Sequence, residues 1–103
     1  MIREATASDA SAMAALERQL FDDPWSVQDL AASLGVAGRR AWVAEQAGVC
    51  HGYALTSLSG DFAEVLRTGV RLNSRRQGIA RGLLHEALAA AREDGADRML
   101  LEV

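Results

Sequence analysis

One cysteine, two histidines and one proline are all that these 103 residues contain of the residue types that cross-link, ligate or kink a chain. A lone Cys50 excludes an intramolecular disulfide. Cys50 and His51 are adjacent, so on a strand they point to opposite faces, and His85 is too far along the chain to complete metal-ligand spacing. No metal site is expected. No apolar run approaches the length of a bilayer span, and the opening "MIREATASDA" has no apolar h-region. The expectation is therefore no membrane partner, no signal peptide and a cytoplasmic location. A net charge of -3 and a pI near 5.3 argue against a direct nucleic-acid binder, which needs a basic face. Any anion bound here must be held locally. GxxxxGK[ST] and GxGxxG are both absent, which removes the nucleoside-triphosphate loop and the dinucleotide fingerprint.

What is present suits one compact domain spanning 1–103, with 50% hydrophobic and 24% charged residues. "IREA" is a short strand candidate. Ser8 or Asp9 can cap a helix with Met13, Leu16 and Leu20 on one face. "DDPWSVQDLAASLG" reads as a turn at Pro24, an N-cap at Ser26 with Asp29 three residues on, and a second helix anchored by Leu30 and Leu34 and closed by Gly35. From Arg40 the pattern changes to strands: "AWVAE", "VCHGYALTSL" and "AEVLRTGV", separated by the turn signals "QAG" and "SGD". They should pair antiparallel.

After the loop "RLNS", a helix is expected from about Gly78 to Asp94. Ile79, Leu83, Ala87 and Ala91 form its apolar stripe, Leu84 and Leu88 widen it, and Gly95 stops it. "DRMLLEV" then suits a buried strand parallel to its predecessor, reached by a right-handed crossover.

The stretch "NSRRQGIARGLL" concentrates the chemistry. A helix start exposes unpaired backbone N–H groups and the positive end of the helix dipole, and two arginines there reinforce a field that attracts anions. Strand, loop and helix N-terminus with glycine at the entrance is a general way to hold phosphates. Within it "RRQGIA", Arg75 to Ala80, has the form [Q/R]-x-x-G-x-[G/A].

With that motif, and with "LERQLFDDPWS", "HGYAL", "AEVLRTGV" and "LLEV" in register, the chain resembles the GCN5-related N-acetyltransferases (GNAT), and within them the RimI-type ribosomal-protein N-terminal acetyltransferases. The resemblance covers essentially the whole chain. It implies an α/β GNAT acyl-CoA N-acyltransferase fold: a mixed, mostly antiparallel sheet with helices on both faces. It implies acetyl-coenzyme A as cosubstrate and a protein N-terminus, in a ribosomal protein, as acceptor.

Carried over by position, Thr68, Gly69 and Val70 would line the thioester and pantetheine through their backbone, and Arg76, Gln77, Gly78, Ile79, Ala80 and Arg81 would form the pyrophosphate loop. Glu102 would be the general base; its other reading is a carboxylate at a strand end, exposed or paired with Arg98.

Arg71 and Leu72 stand where the family often has Asp-Pro, and Arg67 and Gly69 interrupt an apolar strand. The family pattern continues past "LEV" with an asparagine, a helix bearing a tyrosine taken as general acid, and two strands, none of which these residues contain. The expected fold thus lacks the last helix and two strands, and its open sheet edge could pair with a second chain. Two other readings stay open: a catalytically silent coenzyme A-binding or interaction module, and a structural fragment completed by a partner.

The amine chemistry bears on the acceptor. At neutral pH an α-amine of pKa about 7.7–8.0 is neutral in roughly one molecule in ten, whereas a lysine near 10.4 is neutral in roughly one in two thousand. A single glutamate then suffices as base for the α-amine. Tyr53, Trp42 and Phe62 are expected in packing roles and Glu64 at a solvated strand end. Trp25 is open between the substrate groove and a hydrophobic anchor for its loop.

Overall fold

A computed structural model describes residues 1–101. Its elements run β1 (Ile2–Glu4), α1 (Ala10–Leu20), α2 (Val27–Leu34), β2 (Arg39–Gln46), β3 (Val49–Ser59), β4 (Phe62–Val70), α3 (Ile79–Glu93) and β5 (Arg98–Leu101), with 3-10 turns at Ala7–Asp9 and Leu72–Ser74. The five strands lie in the order β1-β2-β3-β4-β5, antiparallel except for the parallel β4–β5 pair. The expected mixed sheet is therefore observed. Between β2 and β3 the turn Ala47–Gly48 has φ of 53° and 78°, the paired left-handed conformation that suits a two-residue hairpin.

Alternation along the strands separates two cores. Ala41, Val43, Tyr53 and Leu55 face Met13, Ala14 and Leu16 of α1 and Leu30 of α2, while Trp42, Ala44, Ala54 and Val70 face Leu83, Ala87 and Ala90 of α3. Helices thus cover both faces. Truncating a side chain as enclosed as Leu83 to alanine would cost about 2–5 kcal/mol. Tyr53 and Trp42 are buried, in keeping with their packing roles, and Phe62 is half-buried beneath the guanidinium of Arg98.

Helix boundaries follow local chemistry. Ser26 Oγ accepts from the Asp29 N–H at 3.0 Å, as its spacing predicts. The end of α3 is a Schellman closure: Gly95 at φ 99° donates to Arg92 O and Ala96 to Ala91 O.

Three expectations need correction. Asp9 precedes α1, but its side chain does not cap it; the carboxylate accepts from Arg3 and from the Thr6 N–H instead, closing the 3-10 turn. Leu88 is exposed, because the buried stripe of α3 runs through Leu83, Ala87, Ala90 and Ala91 and leaves Leu88 off its edge. Strand β5 is not buried: only Met99 packs against the α3 core, and Leu100 and Leu101 are 42% and 41% exposed.

Candidate functional site

Strand β4 changes character halfway. Leu55 pairs with Arg67 but Thr56 pairs with Val65, so Leu66 is an extra residue that bulges the strand. A bulge bends a strand and re-aims the residues beyond it. Pairing with β5 runs from Phe62↔Arg98 to Val65↔Leu101, so among the described residues no strand pairs with Leu66–Val70 on the side away from β3. Thr68, Gly69 and Val70 lie on this half, beyond the bulge. Thr68 Oγ1 donates to Tyr53 O, and a Cβ on Gly69 would lie 2.8 Å from Leu20 Cδ1, so a side chain here would push the Leu20 side chain of α1 aside.

The chain leaves β4 through the 3-10 turn Leu72–Ser74, braced by a 2.7 Å hydrogen bond between the buried Ser74 Oγ and His51 Nδ1. It then passes through two left-handed residues, Arg76 at φ 66° and Gly78 at φ 76°. Left-handed backbone is costly for a residue with a Cβ, and such strain gathers where a loop has a task. Gly78 caps α3 with no side-chain hydrogen bond, and the first intrahelical bond is Gly82 N–H to Gly78 O. The N–H groups of Ile79, Ala80 and Arg81 are left for another acceptor. A Cβ at Gly78 would meet no protein atom within 4 Å and would project into open space. At Gly52, by contrast, a Cβ would lie 3.1 Å from Ile79 Cγ2 and 3.3 Å from Leu83 Cδ1, so glycine there lets the first turn of α3 settle on β3.

Val70, Arg75, Arg76, Gly78, Ala80 and Arg81 line a cleft of ≈ 500 Å³ at this corner. Five of them are cofactor-site residues that the resemblance implies; Arg75 opens the same motif without a role carried over to it, and its Nε donates to Val70 O at 3.2 Å, closing the end of β4. Thr68, Gly69, Gln77 and Ile79 do not line the cleft, and the Ile79 side chain packs into the α3 core. Among the described residues none of Arg75, Arg76 or Arg81 forms a salt bridge, although the chain is acidic overall. Three guanidinium groups and a helix N-terminus thus share one open corner. This donor set fits a diphosphate: free N–H groups, unpaired positive charge, and glycine where the backbone must come close. Glu102 lies outside the described residues.

On the opposite face sits a group that sequence reading missed. Glu17 of α1 is fully buried, and its carboxylate accepts from Arg67 Nε and Nη2 at 2.9–3.2 Å and from the Trp25 N–H at 2.9 Å. The carboxylate raises the Arg67 pKa above its ordinary value, chiefly through these hydrogen bonds. Arg67 therefore does not weaken β4; it ties it to α1. Trp25 packs against the first core and also lines a second cleft of ≈ 340 Å³ with Asp29, Ala32, Ser33, Val36 and Arg39. Cys50 donates to Gly52 O and burial pushes its thiol pKa up, whereas His51 faces Ser74, so the two neighbours share no site.

A family model described as "Acetyltransferase (GNAT) family" matches residues 10–103. The chain belongs to the GNAT acetyltransferase family. Among curated proteins none matches it by sequence. Solved GNAT-fold structures superpose over the whole chain. One is an aminoglycoside N-acetyltransferase, AAC(6')-Iy, in complex with coenzyme A: TM-score 0.86, 19% identity, 78% of that chain covered. Another is the ribosomal-protein-S18-alanine N-acetyltransferase from Escherichia coli: TM-score 0.85, 24% identity, 67% covered. A third is a ribosomal-protein-alanine N-acetyltransferase from Brucella melitensis biovar Abortus 2308: TM-score 0.82, 20% identity, 80% covered. At these identities the likeness concerns the fold. It places β4 and the start of α3 in the same architecture as enzymes acting on different amines.

Proposed function

We propose that this GNAT chain transfers acetyl from acetyl-coenzyme A to the N-terminal α-amine of a protein, of the ribosomal-protein-alanine type. The observation that carries the cosubstrate is the corner where three arginines with no ion-pair partner among the described residues meet the N-terminus of α3, which no side chain caps, just past the end of β4. A neighbour of the same fold is solved in complex with coenzyme A, which supports that choice.

In this reading the N–H groups of Ile79, Ala80 and Arg81, with Gly78 opening the approach, hold the diphosphate. Arg75, Arg76 and Arg81 supply its counter-charge, and Gln77 belongs to the same loop. The backbone of Thr68, Gly69 and Val70 runs along the pantetheine and thioester, where a strand N–H stabilises the oxyanion of the tetrahedral intermediate. Acetyl-coenzyme A supplies the activated acetyl group; as the C–N bond to the amine forms, the thioester C–S bond breaks and coenzyme A leaves as a thiolate that takes its proton from solvent. Glu102 removes the proton that the attacking amine sheds, a task suited to a carboxylate when the acceptor is an α-amine of low basicity.

Acceptors separate this reading from others on the same fold. Mass spectrometry of three mixtures with acetyl-coenzyme A decides: an alanine-initiated peptide, the same peptide with a blocked N-terminus and an internal lysine, and an aminoglycoside. Acetyl transfer to the first alone is expected. Preferential modification of the aminoglycoside or the lysine would refute the α-amine assignment.

A further inference from the structure

The Glu17–Arg67 pair reaches further than one ion pair needs to. Arg67 Nη2 also donates to Asp23 O at 3.1 Å, and its guanidinium carbon lies 3.8 Å from the centre of the Phe21 ring and 5.8 Å from that of Trp25. Glu17 holds the Trp25 N–H as well. Three residues of the loop between α1 and α2 are thus fastened to one residue of β4. That residue immediately precedes Thr68. The loop also reaches the half of β4 beyond the bulge directly, since a Cβ on Gly69 would lie 3.6 Å from Phe21 Cε2.

A buried ion pair is a poor source of stability, because desolvation offsets its attraction, and apolar residues of similar volume would bury the loop as well. What a two-pronged guanidinium–carboxylate contact adds is direction. The pair shares no residue with the arginine cleft, which lies beyond Val70 on the α3 side.

We propose that Glu17 and Arg67 are positioning residues that fix the Phe21–Trp25 loop over β4 at Gly69 and thereby set affinity for the amine acceptor, not for the cosubstrate. The inference rests on the acetyltransferase reading above, and two independent readouts keep them apart. Acrylamide quenching of tryptophan fluorescence reports the loop, because Trp42 is 5% exposed and Trp25 supplies most of the quenchable signal. Steady-state kinetics and calorimetry report acceptor KM and acetyl-coenzyme A affinity.

Arg67→Gln should raise quenching and raise acceptor KM about tenfold while leaving acetyl-coenzyme A affinity unchanged, as expected when a charge-assisted contact is lost. Arg67→Lys keeps the charge without the fork, should recover only part of both effects, and carries the test if the glutamine variant does not fold. Unchanged quenching in a folded variant would overturn the clamp, and equal losses of acceptor and cosubstrate affinity would reduce it to a general structural contact. If the parent chain transfers no acetyl group but quenching responds, the acetyltransferase reading falls and the acceptor role falls with it. The loop clamp alone would then survive.

Discussion

The eleven basic side chains of this protein are all arginines, and two groups of them near β4 live in opposite circumstances. On the α1 face Arg67 is enclosed, its guanidinium shared between a buried glutamate, a backbone carbonyl and an aromatic ring. At the α3 end Arg75, Arg76 and Arg81 are exposed, and no carboxylate among the described residues meets them. The first arrangement satisfies a charge within the fold. The second leaves charge for something outside it. Leaving such groups unpaired lets a ligand bind without first displacing an internal partner, and pre-organisation of this kind lowers the cost of binding.

That contrast breaks most sharply at Gly78. Gly78→Val forces a β-branched residue into the left-handed region and puts its side chain where the diphosphate is proposed to lie. Acetyl-coenzyme A affinity should fall on the order of 100-fold, about 2.7 kcal/mol, in calorimetric titration, with the circular dichroism of the fold retained. A folded variant that binds normally would show that the helix start is only a turn.

The exposed arginines give a smaller effect. Arg76→Ala or Arg81→Ala should each weaken binding about tenfold, and less at high salt where screening already weakens the contact. Their melting temperatures should stay unchanged, because neither side chain has an ion-pair partner among the described residues. A melting-point loss without an affinity loss would erase the distinction between the two groups.

The smallest effect concerns a fifth arginine, Arg3, held between the carboxylates of Asp9 and Glu45. Arg3 holds the Asp9 carboxyl below its usual pKa through two hydrogen bonds, with burial opposing and the Thr6 N–H assisting. A depressed carboxylate pKa stabilises the fold above the unfolded value near 3.9, and that contribution is lost as pH falls through the folded value. Asp9→Asn should therefore lower the melting temperature at neutral pH, with the deficit beginning to shrink below about pH 4 and closing only once the pH is below the depressed folded value. Parallel pH curves would remove Asp9 from the acid response.

The elements governed by local chemistry were legible in the sequence: the Ser26 cap, the Gly95 stop, the α3 stripe and the turn at Ala47–Gly48. So was most of the arginine corner, because strand, loop and helix start are neighbours in sequence. Arg75 stands in the quoted motif, but its contact with Val70 O, which closes the strand end, is not something the motif pattern encodes. Glu17 was harder still: on α1 it looks like one residue of a solvated face, and its partner Arg67 is 50 residues away. Leu100 and Leu101 misled in the other direction, since an apolar run shows what a strand can bury but not what covers it.

The open arginine corner is proposed to hold acetyl-coenzyme A for transfer to an α-amine. The most direct test is calorimetric titration of the chain with acetyl-coenzyme A, with an alanine-initiated peptide in a parallel sample followed by mass spectrometry. Saturable binding and a single acetyl group on the peptide N-terminus are the expected result. A folded sample that neither binds the cosubstrate nor modifies the peptide would show that the arginine corner is not a coenzyme A site and that the chain is not an α-amine acetyltransferase.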